Sequence, residues 1–208
     1  MKRTLIAAAL ALTAITSAHA ATITGLKNTG LGDSGSVDSN YSLSSAVSST
    51  PIITVDGQWP ISPWLANDST SKWITPTSNQ AESFDPWSNG TYTYTLTFDL
   101  SGYNAATAVF TGRLAADNSV VVKLNNSVIS SATGFTDWTS FGASSGFVSG
   151  VNTLDFVVNN WAQNGGNPTG LRVEFGMSSI AAVPEPATYA MLLGGLVMVG
   201  AIARRRKQ

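Results

Sequence analysis

Residues 91–100, TYTYTLTFDL, hold a strict two-residue alternation: Tyr92, Tyr94, Leu96, Phe98 and Leu100 on one side, Thr91, Thr93, Thr95, Thr97 and Asp99 on the other. A strand points successive side chains to opposite faces, so this period fits a half-buried β-strand and not a helix. SNG before it and Ser101-Gly102 after it are turn formers that bound the strand. Shorter strand candidates follow. ATAVFTGRLA and SVVVKLNN flank Ala116-Asp117-Asn118, whose Asp-Asn pair suits a tight turn, and Asn125-Asn126 then returns the chain into SVIS as a hairpin. GFVSGVNTLDFVVNN turns near Gly150 before Leu154, Phe156 and Val158 alternate with Asp155 and Val157. In GLRVEFGM, Leu171, Val173 and Phe175 share one face and Arg172 and Glu174 the other. No convincing helical period occurs between 21 and 180, so this body is expected to be all-β, an antiparallel β-sandwich.

Cysteine is absent from the 208 residues, so the body must cohere without disulfides; roughly 160 residues suffice for one buried core. The one histidine, His19, lies in a segment expected to be removed. Without His or Cys the mature body has no Ser-His-Asp triad, no Cys-His dyad and no His or Cys zinc site. Cation sites built from oxygen ligands stay open. From 21 to 186 there are five basic residues (Lys27, Lys72, Arg113, Lys123, Arg172) against twelve acidic ones, a charge of −7. Five dispersed cations make no footprint for phosphates, which excludes nucleic acid as a partner.

The two ends are unlike the body. Residues 1–20, MKRTLIAAALALTAITSAHA, join Lys2 and Arg3 to a short apolar run and a small-x-small site at Ala18-His19-Ala20. This is the pattern of a signal peptide cut by signal peptidase after Ala20. At the other end, 181–186 form a linker in which Pro184-Glu185-Pro186 blocks helix and sheet alike. The uncharged 187–203 would span roughly 25 Å as a helix, enough for a single transmembrane helix in a thin bilayer. Residues 204–208 are a basic tail, with Arg204, Arg205, Arg206 and Lys207, that holds to the cytoplasmic side.

Pro184, Glu185 and Pro186, the apolar span and the arginine cluster, in that order, resemble the PEP-CTERM sorting signal. The resemblance implies an exosortase that recognises and removes the tail, a transient stay in the inner membrane, and a final place at the cell surface or outside it. A second resemblance covers roughly 22 to 178: SKWI, YTYTLTFDLSGY, GRLAADNSVVVKLNN, GVNTLDFVVNN and NPTGLRVEF are similar to galactose-binding-like jelly rolls found beside such tails. It implies a jelly-roll-like sandwich, and many such folds bind sugars. Asn125-Asn126 stands where that pattern has Asn-Gly, and Asn tolerates the same positive φ.

The candidate chemistry is modest. Paired carboxylates would serve a glycoside hydrolase, with Glu82, Asp85, Asp117, Asp137, Asp155 and Glu174 as the stock, and spacing alone brings no two together. GDSGSVDSNY offers Asp33, Asp38 and Asn40 as oxygen ligands for calcium, without the spacing of an EF-hand. Six tryptophans, 59, 64, 73, 87, 138 and 161, are many for this length; an exposed indole can stack on the C–H face of a sugar while amides take its hydroxyls. NNWAQNGGNP is the best such patch, with Asn160, Trp161, Gln163, Asn164 and Asn167 in a loop between two strands. Phe135, Trp138 and Phe141 are three apart and equally suit the end of the sandwich. The expectation is an exported, non-catalytic surface or matrix protein contacting extracellular polysaccharide and using no cofactor beyond calcium. Its rivals are a sugar-cleaving hydrolase and a structural adhesin or assembly subunit.

Overall fold

The computed structural model describes residues 20–183 and 186–205, the side chains of the closing helix from 193 onward. Nine strands run in order: β1 (Ala20–Ala21), β2 (Tyr41–Ser44), β3 (Ile52–Ile53), β4 (Ile74–Thr75), β5 (Gly90–Asp99), β6 (Tyr103–Leu124), β7 (Ser127–Ala143), β8 (Val151–Asn160) and β9 (Gly170–Ala182). Their pairings are all antiparallel, in the order β2-β5-β8-β6-β9-β4-β3, with β7 also on β6 and β1 on β9.

The alternation in β5 is realised in full: Tyr92, Tyr94, Leu96, Phe98 and Leu100 are all buried. Its partner β8 is in register beside it, Tyr94 opposite Phe156 and Leu96 opposite Leu154, so both strands turn the same face to the core. The Asn125-Asn126 turn is also as expected. Both residues have positive φ (48° and 68°), and Leu124 pairs with Ser127 across the two-residue loop.

β6 departs from expectation. The tight turn at Asp117-Asn118 does not form; the chain continues as one 22-residue strand. Residues up to Asp117 pair with β9, and Ser119 to Leu124 pair with β8. Irregular register on the β7 side, between Leu114 and Ala116 and between Ala116 and Ser119, bends the strand there. An Asp-Asn pair favours a turn when its flanks must fold back on one another. Here each flank finds a different partner strand, so at the bend β6 passes from β9 to β8. Aromatic rings pack between the strands: Phe141 of β7 is 5.8 Å from Phe156 of β8, and Phe147 meets both Phe98 and Phe110, at 6.4 and 5.9 Å.

β9 departs as well. Leu171 and Val173 are buried as expected, but Arg172 and Glu174, on the opposite face, are buried too. Trp64 and Trp73, from the segment between β3 and β4, cluster with Ala115 of β6, and Ile61, Leu65, Phe135 and Trp138 pack against them. A strand with a second cover reads as alternating and yet is dry on both sides.

β9 runs to Ala182, two residues into the expected linker. The one helix among the described residues, α1 (Pro186–Arg205), starts one residue before the expected 187–203 and takes in Arg204 and Arg205; proline is well suited to a first helical position. Among the described residues no helix is long and apolar enough to cross a membrane. Of the terminal motifs, Ala20 opens β1 opposite Ala181, whereas Ala18, Pro184, Glu185 and Arg206 lie outside the described residues.

Candidate functional site

At the bend of β6 a cleft of about 200 Å³ opens between Trp59, Pro60, Pro63 and Trp64 on one wall and Gln163, Gly166, Asn167 and Pro168 on the other, with Asp117 and Asn118 between them. The sequence builds these walls for separate reasons. QWPISPW carries two prolines that keep the segment out of a sheet. Gln80 then ties it down, its Nε2 donating to the carbonyls of Gln58 (3.0 Å) and Trp59 (3.3 Å). Trp64 lies close on β9 because residue 170 is glycine: a Cβ there would come within 2.8 Å of the indole.

Asp117 is the chemical centre. It is 5% exposed, and its Oδ2 accepts from Trp64 Nε1 at 2.9 Å while its Oδ1 is buried without a partner. Burial pushes its pKa up to about 6, against the smaller opposing effect of the Trp64 N–H. Near neutral pH the group is mostly ionised, with one oxygen unsatisfied: an acceptor waiting for a donor. Thr169 Oγ1 donates to its main-chain oxygen at 2.6 Å and fixes the bend.

Behind the cleft wall is a charged brace. Arg172 Nε donates to Ser71 Oγ (2.7 Å), and its terminal nitrogens reach the Ala66 carbonyl, Asp68 (3.0 Å) and Glu174 (3.5 Å). Glu174 also takes Arg113, at 2.6 Å, and Ser71 Oγ, at 2.8 Å. The Trp138 ring has the Arg113 guanidinium at 4.5 Å and that of Arg172 at 4.8 Å. A hollow of about 380 Å³ lies over Gly112 beside this brace, but its ionic groups, Arg113 and Glu174, are engaged with one another.

The patch predicted at 160–167 is split by the fold. Gln163 and Asn167 line the cleft, and Trp161 is half exposed beside it, its main-chain N–H donating to Asn118 Oδ1 at 2.7 Å. Asn164 is exposed on the same loop. Asn160 is instead fully buried, donating to Asp85 at 2.8 Å with its own Oδ1 unpartnered; as the last residue of β8 it points inward by the strand's alternation. Asn167 is a brace as much as a wall, donating to the carbonyls of Phe84 and Trp161 at 2.7 and 3.0 Å.

Asp38 is buried and closes its own loop, accepting from Gly30 N at 2.7 Å and Asn40 N at 3.0 Å. Asp33 is exposed, and its carbonyl accepts from Ser36. Among the described residues no three His, Cys, Asp or Glu side chains gather. Of the other carboxylates, Glu82 accepts from Thr77, Asp85 from Tyr92 and Asn160, Asp137 from Thr136, and Asp155 from Thr95. Sequence reasoning missed Trp59 and Asn118 as cleft residues and saw Asp117 as one carboxylate among six. The proline-flanked tryptophans were the available signal, since an indole outside any strand is free to line an opening.

Comparisons with solved structures return carbohydrate-binding modules at low similarity. A family 29 module shares 9% identity at a TM-score of 0.38, covering 81% of this chain and 97% of its own. A family 35 module from an environmental isolate shares 16% at 0.32, covering 71% and 97%. A PA14 sugar-binding domain from an RTX adhesin shares 14% at 0.26, covering 47% and 56%. No curated protein matches the sequence. Residues 182–207 match the PEP-CTERM protein-sorting motif, and the chain therefore carries that sorting signal behind its β body.

Proposed function

We propose that this is an exported, non-catalytic protein of the cell surface or extracellular matrix, handed over by an exosortase, whose body holds polysaccharide in the Asp117 cleft. The sorting motif at 182–207 carries this reading. Signal peptidase releases the N-terminus after Ala20. The 187–203 segment tethers the precursor in the inner membrane, and Arg204 to Lys207 keep its tip inside until the tail is cut. The cleft supports the binding half: an exposed indole, amides and a carboxylate among its lining residues suit a ring with one apolar face and a rim of hydroxyls.

A hydrolase is the second reading, because a carboxyl with its pKa near 6 resembles a general acid. Asp117 is, however, the one carboxylate lining the cleft among the described residues, and glycoside hydrolysis generally employs two. The test is a mass measurement on protein recovered from outside cells that possess an exosortase. A chain starting at Ala21 and ending near Pro186 is the expected result; an intact chain with both termini, recovered from the cytosol, would overturn the assignment. Reducing ends released from polysaccharide, and lost in Asp117→Asn, would turn the reading to the hydrolase.

A further inference from the structure

Trp59, Trp161 and Trp87 are 44%, 49% and 84% exposed, and no other aromatic side chain among the described residues is exposed. They come from three loops far apart in sequence; hydrogen bonds join the Trp87 and Trp161 loops, and the Trp59 loop faces the residues that follow Trp161 across the cleft. Gln163 N donates to the Asp85 carbonyl at 3.2 Å, Ala162 N to Asn89 Oδ1 at 2.9 Å, and Asn89 Nδ2 to Asn159 Oδ1 at 3.3 Å. The 85–89 turn that bears Trp87 is thus bonded along the strand end that bears Trp161. Gln163 and Asn167, from the loop after Trp161, share the cleft with Trp59. The surface runs from Trp59 across the cleft to the Trp161 loop and on to Trp87, with hydrogen bonds fixing the last step. Indoles bury large areas in cores and interfaces, so three left in water on one pre-organised surface call for an occupant.

The polar groups between the indoles define that occupant. Asn89, Asn118, Gln163 and Asn164 are amides, and Asp117 is the carboxylate among the residues lining the cleft. No lysine or arginine lines the cleft, and the body carries twelve acidic residues against five basic ones. A uronic-acid or sulfated polymer would meet a carboxylate and a net negative field. An uncharged pyranose chain presents C–H faces to the indoles and hydroxyls to Asp117 and the amides.

We propose that Trp59, Trp161 and Trp87 form one extended strip that holds several successive residues of a neutral polysaccharide along the chain, rather than capturing a single terminal sugar. This rests on the polysaccharide-binding reading given above. The test titrates the full chain in detergent with neutral glucan, mannan and galactan polymers, with their one- to six-residue oligomers, and with polygalacturonate. For whichever neutral polymer binds, affinity should rise at least tenfold from monomer to hexamer. Trp59→Ala, Trp161→Ala and Trp87→Ala should each weaken polymer binding about threefold to tenfold, the range expected of one aromatic stacking contact. Phenylalanine at the same positions should restore part of it, and urea melts of the Trp87→Ala protein should match wild type. If the monomer binds as well as the hexamer, and only Trp59→Ala matters, the strip is wrong while the cleft survives. Tighter binding of polygalacturonate than of any neutral polymer overturns the neutral class. Binding of none of these polymers removes strip and polysaccharide reading together, leaving sorting untouched.

Discussion

Trp64, Trp73 and Trp138 pack with Ala115 of β6, whereas Trp59, Trp87 and Trp161 stand in water on three loops. The two groups are identical in chemistry and interleaved in sequence. Trp59 and Trp64 are five residues apart and have opposite fates: the first is 44% exposed and the second 3%. What separates them is whether a sheet face lies within reach. Trp64 reaches Gly170 and Asp117 and stacks at 4.4 Å on Trp73; Trp59 is left at the cleft mouth. One group stabilises the fold, and the other is available for binding.

The sharpest way to break this contrast is Trp73→Ala. Its side chain is fully buried, so unfolding in urea should show a loss of about 3–5 kcal/mol. A loss under about 1 kcal/mol would mean that the 61–73 cover contributes little to the fold. Arg172→Ala comes next, at about 3 kcal/mol, since it empties the space of a fully buried side chain and removes one of the two cations paired with the buried Glu174. Trp138 should then lose order, which its indole N–H NMR signal, assigned through Trp138→Phe, reports.

A third test uses pH. The Asp117 carboxyl is raised from the ordinary carboxylate value to about 6 in the folded protein, so the folded state holds its proton more tightly than the unfolded chain does. Stability from this group is complete below about pH 4 and is lost as pH rises through about 6, a change of about 3 kcal/mol for two pKa units. The stability difference between wild type and Asp117→Asn, followed by urea titration from pH 4 to 7.5, should therefore shift steadily in favour of the variant. A flat difference would show that the cleft is wetter than its burial implies. The smallest effect is at Trp87, where alanine should change stability by no more than about 0.5 kcal/mol. A larger loss would move Trp87 into the structural group and weaken the strip.

Much of the strand inventory was legible because alternation is a local property. β5 and β8 each carry their core face in the residue order, and Asn125-Asn126 carries the hairpin in its tolerance of positive φ. The site was legible only in part. Gln163 and Asn167 reach the cleft, but Asn160, read as part of the same polar loop, is the end of a strand and faces inward. Asp117 looked like a turn residue because the Asp-Asn pair was read without knowing that β8 and β9 would each take one side of β6.

By itself, the order of residues determined which face of each long strand is apolar, the absence of thiol and imidazole chemistry from the body, and the sorting motif at 182–207, all of which depend on near neighbours in the chain. Only the tertiary structure decided that β6 runs on through Asp117, that Arg172 and Glu174 are dry, and which three tryptophans meet solvent. Those outcomes turn on segments a hundred residues apart, as Ser71 and Arg172 are, competing to cover the same surface, and a local pattern holds no record of who covers whom.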